Sequence, residues 1–417
     1  ALEALIRAGA NVVRLNLSHG TLEEHLERLR NVREVATRLD LPIGVLADLP
    51  GPKVRAGQFP DGGVALVAGA YVRLREGNRP SDAGTIHVEY DTLLDDITVD
   101  DRIILGDGAI SMRVVAKHDD YAEAIIETGG RTQGRPGVHL SSERLSLTTP
   151  TEEDLVLAEA MAEAGVEFMA VSFVRRGADI AKVREVVGNQ VKLVAKIETS
   201  SSLANLTGIL EVADAIMVAR GDLGIDCPLE DVPHLQKAIV RQCVEYGLPV
   251  ITATQVLESM VTAPSPTRAE VTDIANAVFD GTDALMLSGE TAIGHDPALV
   301  VETMGRIAER AEAEASYRQW AARLGRIQRE NWDSMSDRVT AAITHAASEA
   351  AVDIEATAIL CCTSSGRTAR AMARFRPEME LVALSPNRRT VNALALSWGV
   401  GPIKVDPSGS TSKMVHT

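Results

Sequence analysis

Lys192-Leu193-Val194-Ala195-Lys196-Ile197-Glu198 is the stretch on which the reading of this chain turns. It is apolar, of strand length, and ends with two charged residues at i and i+2, the spacing that places both side chains on one face of a strand. An amphipathic segment at Ile180–Gly188 precedes it and another apolar run, Ala215–Arg220, follows. The rhythm continues outward on both sides. Strand-like runs fall at Asn11–Leu17, Ile43–Asp48, Glu167–Ser172, Pro249–Ala253 and Asp283–Leu287, making seven with the two already quoted. Helical periodicity occupies Leu22–Arg38, Glu152–Gly165, Pro233–Tyr246 and Ala269–Asp280. An α/β alternation of this length predicts a (β/α)8 TIM barrel. Its remaining strand is expected to precede Ala1, because Leu2–Ala8 reads as the helix following it and no initiator Met is present. The chain is therefore expected to be a fragment.

Residues 56–147 interrupt the alternation. Short runs at Val64–Val67, Tyr71–Leu74, Arg102–Leu105, Ser111–Ala116 and Tyr121–Glu127, separated by turn signals, predict an inserted small β-barrel lid domain. Residues 1–55 and 148–315 then form the barrel. From about Ser316 a helical linker leads to Ala350–Ser365, Ala369–Phe375, Glu380–Leu384 and Val391–Trp398, a C-terminal open α/β domain over 316–417 that ends abruptly at Thr417 and is expected to lack its last strands.

Composition narrows the function classes. With 45% hydrophobic but only 3% aromatic residues among 417, the chain reads as a soluble globular protein with an aliphatic core. A net charge of −16 opposes general affinity for nucleic acid or anionic membrane, since no Lys/Arg run offsets it. Cys227, Cys243, Cys361 and Cys362 form neither a CxxC pair nor a zinc pattern, which fits a reducing cytosol and a cytoplasmic location. Apolar stretches such as Phe168–Val174 and Ala356–Cys362 fall far short of the roughly 20 residues that span a bilayer.

Barrel enzymes collect function at the C-terminal ends of their strands. Here those ends carry Arg14, Asn16, Ser18 and His19; Asp48, Lys53 and Arg55; Ser172 and Arg175; Lys196 and Glu198; Arg220 and Asp222; Thr254 and Gln255; and Ser288 and Glu290. Lys196 and Glu198 with Asp222 bring two carboxylates and a lysine together. Mg2+ takes one or two carboxylates plus substrate oxygens, and a lysine neutralises charge on a transferred phosphoryl group. The alternative is a salt-bridge cluster closing the barrel rim. Arg14 and Arg55 can fork onto phosphate or pair with Asp48. His19 suits either the site or a helix cap, and Gly221-Asp222-Leu223-Gly224 can open a short anion-binding helix. Met260 and Met286 read as core.

At this point the sequence resembles the pyruvate kinase family over nearly its whole length. The motifs are Arg14-Leu-Asn-Leu-Ser-His-Gly20, Ala47-Asp-Leu-Pro-Gly-Pro-Lys-Val-Arg55, Val194-Ala-Lys-Ile-Glu198, Ile216-Met-Val-Ala-Arg-Gly-Asp-Leu-Gly224, Ala253-Thr-Gln-Val-Leu-Glu-Ser-Met260, Pro266-Thr-Arg-Ala-Glu270 and Leu285-Met-Leu-Ser-Gly-Glu-Thr291. The resemblance implies phosphoryl transfer from phosphoenolpyruvate to ADP, giving pyruvate and ATP in glycolysis. It implies Mg2+ on Glu198 and Asp222, with Lys196 stabilising the transferring group and the enolate. Arg14 and Arg55, with His19, would serve phosphate and nucleotide, while Gly221, Asp222 and Thr254 would hold the substrate carboxylate. Thr254 or Ser288 would belong to the proton relay to the enolate. The lid would exclude water, and a homotetramer is expected.

Three departures from the family pattern carry expectations of their own. The usual first strand and its Thr-x-Gly-Pro-Ala-type loop are absent from the sequence given. Members that need K+ surround it with Asn, Ser, Asp and a Thr carbonyl, positions that correspond to Asn16, Ser18, Asp48 and Leu49. Here Leu49 replaces Thr and Lys53 replaces a Glu, so the Lys53 ammonium is expected to stand in for K+, with Asn16, Ser18 and Asp48 as hydrogen-bonding neighbours. K+ is then not required. In the lid, Arg135-Pro-Gly-Val-His-Leu-Ser-Ser142 departs from the usual Lys before Gly-Val-Asn-Leu-Pro-Gly, whereas Asp107 matches as a turn aspartate. In the terminal unit, Thr363-Ser364-Ser365-Gly366-Arg367-Thr368 precedes a helix. By resemblance it is the site of a phosphorylated allosteric effector; plain helix capping is the alternative. Two rival functions stay open from the residues: another Mg2+-enolate barrel, such as a lyase or mutase, and a catalytically dead regulatory homologue.

Overall fold

The structure is a computed structural model that describes residues 1–106, 108, 110–140, 148–317, 320, 321, 324 and 335–407. Asp107, Ser141 and Ser142 lie outside the described residues. One curled sheet of seven parallel strands dominates, in the order Val12–Asn16, Gly44–Asp48, Phe168–Val171, Lys192–Ile197, Ala215–Ala219, Val250–Ala253 and Ala284–Met286. Spatial order equals chain order, the arrangement that successive βα units produce. Each strand lies within two residues of its expected run.

Alternation along the strands separates two cores. Leu193, Ala195 and Ile197 face outward into the layer between sheet and helices, where they join Leu29, Val32, Met161 and Ile239. Val194 points to the sheet interior with Leu46, Phe168, Met217 and Ile251. Lys196 and Glu198 continue that inner face toward the strand ends.

Threonine caps set where the covering helices begin. Thr21 accepts from Glu24 N ahead of Leu22–Leu39, and capping boxes pair Thr151 with Asp154 and Thr267 with Glu270. Pro233 sits in the first turn of Val232–Tyr246, where its missing N–H has no cost. That helix and Arg268–Asp280 end at Gly247 and Gly281, both left-handed.

The lid region builds a barrel-shaped sheet in the order Val138–His139, Arg102–Leu105, Ile110–Lys117, Ala122–Thr128, Tyr71–Glu76 and Thr85–Val88, with Phe59–Leu66 paired to Gly130–Gly134 beside it. It encloses its own core, including Phe59, Leu74, Ile86, Ile103 and Met112. The terminal unit stacks Ala358–Cys362, Glu380–Ser385 and Val400–Lys404 in parallel, behind the long helix Met335–Asp353. Leu396 and Ala393 from this unit pack into the interior core of the barrel sheet. The four cysteines are free thiols, and among the described residues no helix is long and apolar enough to cross a membrane.

Candidate active site

A cavity of about 460 Å³ opens at the C-terminal ends of the parallel strands. Arg14, Asn16, Ser18, His19, Asp48, Leu49, Lys53, Arg55, Lys196, Glu198 and Asp222 all line it. Residues spread over more than 200 positions of sequence meet there because every βα unit delivers its strand end to the same side.

The centre is a dense charge cluster. Lys196 Nζ lies 2.8 Å from Glu198 Oε1 and 3.5 Å from Asp48 Oδ1. Arg14 holds Asp48 Oδ2 through Nε at 2.7 Å and Nη2 at 2.6 Å. Asp48 and Glu198 are each only 1% exposed. Burial alone would lower the Lys196 pKa, but Asp48, Glu198 and Asp222 together outweigh it and hold the amine protonated. For Asp48, burial opposes ionisation, yet Lys196 and Arg14 bring its pKa below the ordinary carboxylate value. Glu198 moves the other way: burial first, then the charge of Asp222, raises its pKa despite Lys196.

Arg55 does not pair with Asp48. Its Nη1 donates to Arg135 O at 3.2 Å, and its backbone bridges Gly137, so it stands where the inserted β-rich segment returns toward the parallel sheet. Lys53 shares the cavity wall with Asn16, Ser18 and Asp48. Contrary to expectation, no hydrogen bond or ion pair joins its ammonium to any of these three described residues. Asp48 is engaged by Arg14 and Lys196, and Asn16 Oδ1 accepts from Ser18 N at 3.2 Å. Partial burial, then the charges of Arg55 and Lys196, lower the Lys53 pKa.

The short helix anticipated at Gly221 forms, over Arg220–Asp226, and presents Asp222 in its first turn. Gly221 N donates to Thr254 Oγ1 at 2.8 Å, tying Thr254 to that helix although Thr254 is not part of the cavity lining. Ser288 is also outside the lining. It follows the strand Ala284–Met286, and its N–H donates to Glu290 Oε2 at 2.7 Å. Met260 is buried as expected, and Met286, half-buried, packs against the interior core of the barrel sheet.

Thr363, Ser364, Ser365 and Gly366 form the turn between Ala358–Cys362 and the helix Arg367–Ala373, whose first residues are Arg367 and Thr368, and none of the six lines this cavity. Thr363 Oγ1 accepts from Gly366 N at 2.9 Å, and Ser364 O accepts from Thr390 Oγ1 at 2.8 Å. Ser364, Ser365, Arg367 and Thr368 are exposed.

Two features of the site carry little signal in the sequence. Arg220 donates to Ala253 O, Thr254 O and Gln255 O at 3.2, 2.6 and 3.3 Å and is anchored by Asp273 at 2.5 Å. Thr254 and Gln255 both take left-handed backbone, at φ +68° and +52°. Ser172 accepts from Lys196 Nζ at 2.8 Å. In the sequence Arg220 is marked by its place at a strand end and within the Ile216–Gly224 motif, and Ser172 by its place at a strand end alone.

Residues 1–301 match the family model "Pyruvate kinase, barrel domain" and residues 341–417 match "Pyruvate kinase, alpha/beta domain". The chain belongs to the pyruvate kinase family. The pyruvate kinase of Bacillus licheniformis is 38% identical over 422 aligned residues, covering 100% of this chain and 71% of that protein. That of Geobacillus stearothermophilus is 38% identical over 421, covering 99% and 70%, and that of Staphylococcus aureus is 38% identical over 422, covering 100% and 71%. The activity is accordingly that of a pyruvate kinase, a phosphotransferase, and not that of a lyase or mutase.

The donor set suits a hard divalent cation. Glu198 Oε1 is a buried carboxylate oxygen with no aligned hydrogen-bond donor, although Lys196 Nζ is close, and burial first, then the charge of Asp222, raises the Glu198 pKa. No third Asp, Glu, His or Cys completes a metal cluster among the described residues. Two carboxylates with open positions for substrate oxygens is the pattern Mg2+ uses at phosphoryl-transfer sites.

Proposed function

We propose that this cavity performs the pyruvate kinase reaction through the residues gathered at its centre. The observation that carries the reading is the meeting of Lys196, Glu198, Asp48 and Arg14 within a few ångströms at the parallel strand ends. Arg14, Arg55 and Lys196 grip the phosphate of phosphoenolpyruvate, while Gly221, Asp222 and Thr254 receive its carboxylate. His19, with Arg14 and Arg55, faces the phosphates of ADP. The bond from phosphorus to the enol oxygen breaks as one forms to the terminal phosphate oxygen of ADP. Negative charge passes to the enolate oxygen, where the protonated Lys196 stabilises it. The enolate carbon then takes a proton relayed by Thr254 or Ser288, yielding pyruvate. Glu198 and Asp222 would hold Mg2+, which when bound neutralises charge on the phosphoryl oxygens.

Further parts of the reading come from the family pattern. The chain divides into a barrel of 1–55 and 148–315, a lid of 56–147 that excludes water, and a terminal unit of 316–417. The Thr363–Thr368 turn takes a phosphorylated effector, the enzyme is a cytoplasmic homotetramer, and Lys53 supplies the positive charge that K+ supplies elsewhere.

A lactate dehydrogenase-coupled assay with phosphoenolpyruvate, ADP and Mg2+ tests the proposal. Lys196→Met should lower kcat by about 10³-fold or more with the fold retained, the scale of removing a preorganised charge from a transition state. Turnover within tenfold of the parent would remove Lys196 from the chemistry. In the same assay, replacing K+ by tetramethylammonium should change the rate less than about twofold, and strong K+ activation would refute the role of Lys53.

A further inference from the structure

The turn that follows the strand Phe168–Val171 touches both side chains at the heart of the site. Ser172 is 2% exposed. Its hydroxyl accepts from Lys196 Nζ at 2.8 Å and donates to Leu49 O at 2.7 Å. Its carbonyl accepts from Thr149 Oγ1 at 2.9 Å. The next residue, Phe173, donates its backbone N–H to Glu198 Oε2 at 2.6 Å. Phe173 does so with φ +55°, a left-handed conformation that a bulky side chain seldom adopts. Gly51 seals the arrangement from the neighbouring loop. At its φ of +68°, a Cβ would stand 2.8 Å from Phe173 Cδ2 and 2.9 Å from Ser172 Cβ. Four hydrogen bonds and the close approach of Gly51 therefore fix where this turn sits.

A hydroxyl has one proton, and here it goes to Leu49 O, so the oxygen offers only lone pairs to Lys196. The ammonium has three protons. One goes to Ser172 Oγ, Glu198 Oε1 lies 2.8 Å away, and Asp48 Oδ1 stays at 3.5 Å. Ser172 thus orients the amine without adding negative charge. A further carboxylate in its place would orient Lys196 equally well but would cancel the charge that the reaction needs.

We propose that Ser172 is a positioning residue, whose hydroxyl aims the Lys196 ammonium at the transferring phosphoryl group while the Phe173 N–H independently holds Glu198. This rests on the reading of Lys196 given above, which Lys196→Met tests by itself. The experiment is steady-state kinetics on the full-length enzyme carrying Ser172→Ala, alongside Mn2+ titration followed by electron paramagnetic resonance and a thermal melt. Loss of one charge-assisted bond to a catalytic group should lower kcat about 10- to 100-fold, with KM for either substrate moved less than about threefold. Mn2+ affinity should stay within about twofold, because Glu198 is held by a backbone N–H that the substitution leaves in place. Ser172→Thr, which keeps the hydroxyl, should retain kcat within about threefold if it folds, and Ser172→Ala decides alone if it does not. A Ser172→Ala enzyme with kcat within twofold of the parent would overturn the proposal. So would a kcat loss matched by equal losses of Mn2+ affinity or thermal stability, or a folded Ser172→Thr enzyme as slow as the alanine variant. If Lys196→Met proved active while Ser172→Ala was slow, the reading of Lys196 would fall, and this assignment with it.

Discussion

Replacing Arg220 by methionine removes a side chain only 10% exposed that spans three successive carbonyls. Hydrogen bonds from a charged donor contribute roughly 1.5–3 kcal/mol each, and the bond to Thr254 O, at 2.6 Å, is the shortest of the three. The bonds to Ala253 O and Gln255 O are longer and weaker. Asp273 is 37% exposed, so it regains water when its partner goes and adds little to the loss. The carbonyls belong to a turn in which Thr254 and Gln255 are both left-handed, a strain of about 1 kcal/mol or more per residue that Arg220 offsets. Arg220→Met should therefore destabilise the enzyme by about 2–4 kcal/mol and let Thr254 move off Gly221 N. A displacement near 1 Å costs catalysis up to about 10²-fold, so kcat should fall about 10- to 100-fold. Arg220→Lys keeps the charge and the pairing with Asp273 but cannot fork across the carbonyls, and should fall in between. Urea denaturation and coupled-assay kinetics measure both effects. An Arg220→Met enzyme with kcat within threefold of the parent and an unchanged unfolding midpoint would refute the reasoning.

Three further outcomes follow from particular contacts. Burial opposes ionisation of Asp214, but Lys192, the Leu193 N–H and Arg184 outweigh it and depress its folded-state pKa. Its stabilisation is then complete above the unfolded carboxylate pKa and fades as pH falls through the lower folded value. Asp214→Asn should cost about 1–3 kcal/mol at pH 7 and progressively less below pH 4, and a pH-independent cost in urea melts would contradict this. Glu167, 2% exposed, joins Arg33, Val45 N and Asn392 Nδ2 across barrel and terminal unit. Glu167→Ala leaves Arg33 without its carboxylate, with only the Ile43 and Gly165 carbonyls still accepting from it, takes the acceptor from Val45 N and Asn392 Nδ2, and should cost about 3–5 kcal/mol, while a loss below about 1 kcal/mol by denaturation would show the network to be dispensable. Lys53→Glu removes one of the cavity's cations, the one proposed to stand in for K+, and should make turnover rise several-fold on adding K+, an effect absent from the parent; equal rates in K+ and tetramethylammonium would count against it.

Much of the scaffold was legible because the barrel repeats a simple period. Val194, Lys196 and Glu198 share a strand face whatever surrounds them, so their spacing alone puts the central lysine beside its carboxylate. Elements at sheet edges were harder. Val400–Lys404, not among the elements expected of the terminal unit, contains Gly401 and Pro402, yet it pairs along the edge of its sheet, where a proline is tolerated. Thr85–Val88, four residues long beside Gly84, likewise pairs only at an edge. The site showed the same division. Asp48 was open to pairing with Arg14 or Arg55, and only the position of the lid, which draws Arg55 toward Arg135, resolves it. Thr254 and Ser288 both follow strands, but neither lines the cavity: Thr254 sits in a left-handed turn with its hydroxyl accepting from Gly221 N, and the Ser288 N–H donates to Glu290 two residues on.

By itself, the sequence determined the family, the βα order and the residues delivered to the strand ends, since these follow from periodicity and local motif. Only the tertiary structure decided which charges pair, that Lys53 stands apart from Asp48, and that Ser172 and Arg220 brace the site. Those outcomes rest on contacts between residues from 24 to about 150 positions apart, fixed by the curl of the sheet and the seating of its loops rather than by any local preference of the chain.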